Sequence, residues 1–209
     1  MDFLLATDNP AKQQELSRLL VSLHVCMRNL TDYPHLPDFS EDAATFSENA
    51  IGKARWFAQA TGLPTIADDG GLEIDALDGW PGVHSRRIFG DGRRATDEEM
   101  VREVLRKMQG IPAERRGCRM RTVVAFVAPT GEEWTAEGVD RGRIATTASS
   151  RRIPGYPFRS LFFHATAGAV VTELADHGAR AMTHRRQAVA QLLPQLAAWV
   201  AQRRPADGH

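Results

Sequence analysis

The order of hydrophobic segments predicts an α/β chain built on a mixed β-sheet. Short apolar runs of strand length alternate with helical patterns through the first half. A hairpin signal follows, with Arg121 to Ala128 and Glu133 to Val139 flanking Pro129-Thr130-Gly131. The composition is that of an ordinary globular chain, 43% hydrophobic and 25% charged over 209 residues, enough to bury a core without staples. Its 26 basic and 26 acidic side chains cancel, which argues against a disordered chain and against a dedicated nucleic-acid binder.

Phe3-Leu4-Leu5-Ala6 is long enough for a buried first strand. Thr7-Asp8-Asn9 breaks it, and Asn9 before Pro10 is a good helix start: a capping side chain, then a proline whose missing N–H costs nothing there. Leu16, Leu19 and Leu20 give that helix an apolar stripe. Leu23 to Cys26 is the predicted second strand, and residues 30–44 form an acidic, turn-rich loop. Thr45 with Glu48 makes a capping-box pair for a helix to about Ala60, stopped by Gly62. Leu63 to Ala67 reads as a strand ending in the turn Asp68-Asp69-Gly70-Gly71, and Leu72 to Leu77 as a further strand with one wet face. Thr96 to Met108 is a helix with acids in its first turn. Arg143 to Thr147 is a separate strand, Leu161-Phe162-Phe163 a short apolar run, and Ala179 to Gln202 a final helix before a frayed tail after about residue 203.

No apolar stretch approaches the roughly 18 residues of a membrane span, and the N-terminus lacks the pattern of a signal peptide. Cys26 and Cys118 are far apart and not in metal spacing, so a reducing cytoplasm is the expected setting. Of the 26 basic residues only Lys12, Lys53 and Lys107 are lysines, compact point charges among planar arginine forks.

Three segments could do chemistry. In Thr7-Asp8-Asn9-Pro10-Ala11-Lys12 the helix N-terminus favours an anion, Thr7 and Asn9 can donate, and Lys12 can reach a phosphate; a capped helix with a solvated lysine is the plainer reading. In Asp68-Asp69-Gly70-Gly71 two adjacent carboxylates repel, and a divalent cation would relieve them, with Asp38 or Glu41 adding a ligand; a solvated acidic turn is the alternative. In Thr183-His184-Arg185-Arg186 a His-Arg pair could meet a base edge or phosphate, or be a surface basic cluster.

Taken in order, Thr7-Asp8-Asn9 with Lys12 and Glu15, Thr45-Phe46-Ser47-Glu48-Asn49-Ala50-Ile51-Gly52-Lys53-Ala54, Ala67-Asp68-Asp69-Gly70-Gly71-Leu72, Leu77 to Val83, and Thr172-Glu173-Leu174 with Thr183-His184-Arg185 resemble the inosine triphosphate pyrophosphatase family. These enzymes clear non-canonical purine nucleoside triphosphates. The resemblance spans roughly residues 3–195. It implies one domain over residues 1–209, an elongated mixed sheet with two lobes around a deep nucleotide cleft, a homodimer, no membrane and no nucleic-acid partner. It also implies Mg²⁺-dependent hydrolysis of ITP, dITP or XTP to monophosphate and pyrophosphate. By position, Thr7, Asn9 and Lys12 would hold the triphosphate. Asp69, with Asp68 beside it, would be the catalytic carboxylate, and Lys53 would steady phosphate charge. Asp69 with Asp38 or its rival Glu41 would bind the metal, and His184 and Arg185 would lie near base and phosphates.

The chain departs from the family's pattern at informative places. Gly70 stands where the family has serine, which removes a hydroxyl. The base block Phe-Gly-Tyr-Asp-Pro becomes Tyr156-Pro157-Phe158-Arg159-Ser160: Tyr156 or Phe158 can still stack a purine, but Arg159 offers donors where a carboxylate accepted. The family lysine near the end falls on Ala179, with Arg180 or His177 as the nearby substitutes. These departures leave two alternatives to the expected reaction: the same hydrolysis with a shifted base preference, or a nucleotide-binding sensor that has lost turnover.

Overall fold

The computed structural model describes residues 1–174 and 183–204, and the expectations placed on His177, Ala179, Arg180 and the tail beyond Arg204 fall outside them. Seven strands form one mixed sheet in the order β2-β1-β3-β4-β5-β6-β7. They are β1 Asp2–Leu5, β2 Cys26–Asn29, β3 Thr65–Ile74, β4 Gly117–Val127, β5 Glu133–Ile144, β6 Phe162–His164 and β7 Ala169–Val170. Among the described residues the helices are α1 Pro10–Leu19, α2 Phe46–Thr61, α3 Asp97–Lys107 and α4 His184–Arg203. No helix among the described residues is long and apolar enough to cross a membrane. Both cysteines are free, Cys26 exposed and Cys118 buried.

The chain divides into two compact units. The first comprises Met1–Asp69, Val123–Glu137 and Arg185–His209. Here β1 pairs in parallel with β2 on one side and with β3 on the other, Leu5 lying opposite Ile66. The chain leaves β1 through α1 to one neighbour and later returns through α2 to the other. That reversal is a topological switch point, and ligands of α/β sheets gather at the carboxyl ends of such strands. Thr7 and Asp68 follow two residues after the paired Leu5 and Ile66, so both stand at that end. Beneath it Phe3, Phe126 and Trp199 form an aromatic nucleus, with Phe126 meeting Phe3 at 5.6 Å and Trp199 at 5.2 Å between ring centroids. Leu16, Leu20, Ile66, Leu192 and Leu196 fill in around them, all essentially inaccessible to water. Burial of this much apolar surface is what fixes the strand ends in place.

The second unit comprises Gly70–Thr122 and Gly138–His184. Leu72, Ile74, Met100, Val104, Met108, Leu161 and Phe162 make its core. α3 starts with a capping box: Thr96 Oγ1 accepts from the Glu99 N–H, and the Glu99 carboxylate accepts from the Thr96 N–H. Past its other end lies the buried guanidinium of Arg116. It donates to the carbonyls of Met108 (2.8 Å), Ile111 (3.2 Å), Ile144 (2.8 Å) and Ala145 (2.9 Å), so one cation ties the chain leaving α3 to the end of β5.

Several boundaries differ from those predicted. The second strand begins at Cys26, because Val21–Leu23 tightens into a 3₁₀ turn and His24 takes a left-handed conformation. The aspartate-glycine block is no turn: β3 runs unbroken from Thr65 to Ile74 through it, and Asp75–Leu77 is a 3₁₀ turn. β5 continues to Ile144, absorbing the strand expected at Arg143 to Thr147. β7 gave no sequence signal, having only two residues.

Candidate active site

Two helix starts and one strand build the constellation in the first unit. Asn9 caps α1 as expected, its Oδ1 accepting from the Ala11 N–H at 3.0 Å and the Lys12 N–H at 3.4 Å. Thr7 is buried at the end of β1, and its Oγ1 accepts from the Asn9 N–H at 3.3 Å. The turn is thus held by its own side chains, and Lys12 projects from the first helical turn.

α2 carries the second part. Its Thr45–Glu48 capping box and the left-handed Gly62 set its ends where the sequence placed them. Its buried face is Phe46, Asn49, Ala50, Lys53, Ala54, Phe57 and Ala58. Asn49 and Lys53 are four residues apart and so point the same way. A lysine on such a face needs negative partners, and β3 supplies them. Lys53 Nζ donates to the Asp68 carbonyl at 2.8 Å and pairs with the Glu41 carboxylate. Burial alone would discharge this amine, but Glu41, Asp68 and Asp69 outweigh it and hold its pKa above the ordinary lysine value.

The two adjacent aspartates are electrostatically opposite. Asp68 is fully buried, and its Oδ2 accepts from Lys12 Nζ at 3.0 Å and from Arg185 Nη2 at 2.8 Å and Nε at 3.2 Å. Burial pushes its carboxyl upward, but Lys12, Arg185 and Lys53 together hold it well below the usual carboxylate range. Asp69 is 7% exposed, and its Oδ2 accepts from Asn49 Nδ2 at 3.0 Å. Burial and the neighbouring Glu41 charge raise it to about 6, against the pull of Lys12, Lys53 and Asn49. Side by side on one strand stand a permanently ionised carboxylate and one poised near neutrality, a separation that marks acid–base sites.

The first unit therefore brings together Lys12, Glu41, Lys53, Asp68, Asp69 and Arg185. Arg185 is 2% exposed in the first turn of α4, and besides Asp68 it donates to Glu15 at 3.1 Å. Of the two acidic-loop candidates, Glu41 reaches Lys53, whereas Asp38 is exposed on the same loop. Sequence reasoning missed Asn49 and Glu15. Both lie inside the quoted motif blocks, and the i, i+4 spacing of Asn49 from Lys53 was the signal available.

The remaining candidates belong to the second unit. His184 is buried at the start of α4. Phe158 packs into that unit's core. Tyr156 is half-buried, and the Arg159 guanidinium lies over its ring at 3.7 Å from the centroid. Gly70 has a structural reason the sequence did not reveal. A Cβ there would stand 2.4 Å from the Arg121 carbonyl oxygen and 2.8 Å from Thr122 Cα, so backbone occupies the space of a side chain. Restoring the family's serine by Gly70→Ser is therefore expected to destabilise the chain by about 1–3 kcal/mol without raising turnover. A thermal melt paired with a turnover assay checks this, and a more active, equally stable variant would refute it.

Among the described residues, no group of three or more His, Cys, Asp or Glu side chains is arranged to hold a metal ion by itself. The donor set does suit Mg²⁺, which takes one or two carboxylates and completes its shell with phosphate oxygens and water. Glu41 and Asp69 are the like-charged pair that a cation would relieve.

Residues 3–195 match the Ham1 family. The chain belongs to that family. The resemblance read from the five motif blocks holds across nearly its whole length. The dITP/XTP pyrophosphatase of Geobacter sulfurreducens is 38% identical over 90% of this chain and 93% of its own. Among solved structures, a HAM1 protein from Coxiella burnetii superposes with a TM-score of 0.79 at 32% identity, covering 97% of this chain and 99% of that one. The nucleoside-triphosphatase (dITP/XTP pyrophosphatase) of Mycobacterium abscessus does so with 0.74 at 38% identity, covering 93% and 100%. The α/β architecture with its seven-stranded mixed sheet is thus the Ham1 fold.

Proposed function

We propose that this chain, a nucleoside triphosphate pyrophosphatase by family, hydrolyses deaminated purine nucleoside triphosphates such as ITP, dITP and XTP to the monophosphate and pyrophosphate, so cleansing the nucleotide pool. The observation that carries the reading is the buried Asp69, held by Asn49 at 3.0 Å, next to Asp68, which takes Lys12 on its carboxylate at 3.0 Å and Lys53 on its carbonyl at 2.8 Å. A base with a pKa near the working pH is suited to taking a proton from water. Asn49 holds one oxygen of Asp69, which orients the other. Water attacks the phosphoryl centre and gives its proton to Asp69, while the α–β anhydride breaks and pyrophosphate leaves. Phosphoryl transfer needs positioning and charge neutralisation more than covalent help. Lys12 and the amino end of α1 supply both for the polyphosphate, with Thr7 and Asn9 shaping the turn. Lys53, held between Glu41 and the Asp68 carbonyl, keeps its charge in place. Mg²⁺, bound through Asp69 and Glu41 together with substrate oxygens, would neutralise the rest. A cytoplasmic setting and a homodimeric assembly go with this reading.

The stacked Tyr156–Arg159 pair supports a variant of it. A guanidinium offers donors to keto oxygens and purine N7, where the family's carboxylate would accept from N–H edges. This favours 6-keto purines as a class and relaxes selection at the N1 edge. The test is pyrophosphate release from ITP, dITP, XTP, GTP and ATP by the purified chain with Mg²⁺. Release from ITP, dITP and XTP above that from GTP, with ATP poorest, is the expected result. No release from any of the five overturns the function, and a preference for ATP overturns the assignment to Arg159.

A further inference from the structure

We propose that Asp97 and Arg86 are positioning residues that set the aim of the Tyr156–Ser160 segment, an inference that rests on that segment facing the purine as the proposed function has it. Nothing in the motifs singled them out: Asp97 reads as an ordinary acid in a helix first turn, and Arg86 as one of many loop arginines.

In the structure they form a clamp within the second unit. Asp97 is the first residue of α3, and the Thr96–Glu99 capping box fixes its backbone. One carboxylate oxygen, Oδ1, accepts from Arg86 Nη1 at 2.7 Å. The other, Oδ2, accepts from the backbone N–H of Gly155 at 2.7 Å. Arg86 closes the ring by donating from Nη2 to the Gly155 carbonyl at 3.5 Å, while its Nη1 also rests against Met100 Sδ at 3.7 Å. Both polar groups of one peptide residue are therefore gripped from a rigid helix end.

The gripped residue is the hinge of the segment. Gly155 has φ of 82°, a left-handed conformation that favours glycine. The next residue is Tyr156, whose N–H turns back to the Ile153 carbonyl at 2.9 Å and whose carbonyl accepts from the Arg159 N–H at 3.2 Å. Rotation at Gly155 would swing Tyr156 and the guanidinium stacked on it as one body. The clamp resists that rotation with charge-assisted hydrogen bonds, the stronger kind. It touches no reacting atom, so its loss should weaken recognition of the base and spare the chemical step.

The test uses the full-length chain and its variants Asp97→Asn and Asp97→Ala. Asparagine keeps an acceptor for Gly155 but surrenders the charge that holds Arg86. In Asp97→Ala, KM for ITP is expected to rise about tenfold, the size of one charge-assisted hydrogen bond, with kcat within about twofold. The preference for ITP over ATP should narrow, and Asp97→Asn should fall between alanine and wild type. Independently of turnover, amide hydrogen exchange at residues 155–159 should quicken in Asp97→Ala, while exchange in the α3 core stays as in wild type. Unchanged exchange at these amides overturns the clamp. A fall in kcat at constant KM and constant ITP preference overturns the positioning role. Quickened exchange in a chain whose wild type splits no purine triphosphate overturns the proposed function instead, and leaves the contact purely structural.

Discussion

Replacing Asp68 by alanine is expected to cost about 3–5 kcal/mol of folding stability, far beyond an ordinary surface change. The reason lies in what the carboxylate holds together. Lys12 and two nitrogens of Arg185 converge on one of its oxygens, and Arg185 is itself 2% exposed. Without Asp68, Arg185 keeps Glu15 as a counter-charge at 3.1 Å, and Lys12 loses its ion pair with Asp68 in a largely dry setting. Asp68→Asn keeps the shape but not the charge, and should be nearly as harmful. The pH dependence follows from the direction of the shift. A carboxyl held below its usual value of 3.8 contributes stability that is present above that value and disappears as pH falls through the folded one. Urea unfolding at pH 5 and at pH 8 should therefore show the same loss. In a chain of this length the melting temperature should drop by roughly 10 °C. An alanine variant that is inactive but as stable as wild type would mean Asp68 acts on substrate rather than holding the site.

This division of labour between neighbouring aspartates could not be read from the sequence. The sequence shows two carboxylates followed by two glycines, and like charges in series look like a turn facing water or metal. What decides otherwise is long-range. Arg185 lies 117 residues beyond Asp68, and Asn49 lies 20 before Asp69. Only the folded chain shows that Lys12 and Arg185 converge on the first aspartate while Asn49 holds the second. Local signals fared better. Asn9-Pro10, Thr45 with Glu48 and the acids after Thr96 each mark a helix start by residues within four positions, Gly62 marks a helix stop through its left-handed backbone, and every one of those ends is where it was expected. The second strand and the extent of β3 and β5 were less legible, because strand limits depend on what lies alongside. Gly70 shows this most sharply: the backbone of Arg121 and Thr122, some fifty residues downstream, makes glycine necessary there. Phe158 is a similar case. Its place in a motif marks it for the base, yet its ring fills the second unit's core, leaving the half-buried Tyr156 as the ring that Arg159 covers.

Asp69→Asn should abolish turnover and at the same time make the chain more stable. The activity loss is expected to be about 10²- to 10⁴-fold, the usual contribution of a positioned base. The gain in stability comes from the same property that suits Asp69 to its task. Burial and Glu41 oppose its ionised form, raising its carboxyl from 3.8 to about 6. A group raised in this way contributes stability that is fully present below the unfolded value and is lost as pH rises through the folded one. At pH 8 the wild type therefore carries an unfavourable charge worth about 3 kcal/mol, from a shift of about two units. Asparagine removes the charge and can still accept from Asn49 through its carbonyl oxygen. The variant should accordingly unfold later than wild type at pH 8, and the two should converge as pH falls below 3.8, where Asp69 is neutral both folded and unfolded. Added Mg²⁺ gives the second arm. It should raise the wild-type unfolding midpoint at pH 8 and leave Asp69→Asn nearly unmoved, since a cation relieves only a charge that is there. An inactive variant that is less stable at pH 8 would show that the Asp69 charge serves the fold. An active one would remove Asp69 from the chemistry altogether and pass the base's role to Glu41, the other acid whose field reaches this point.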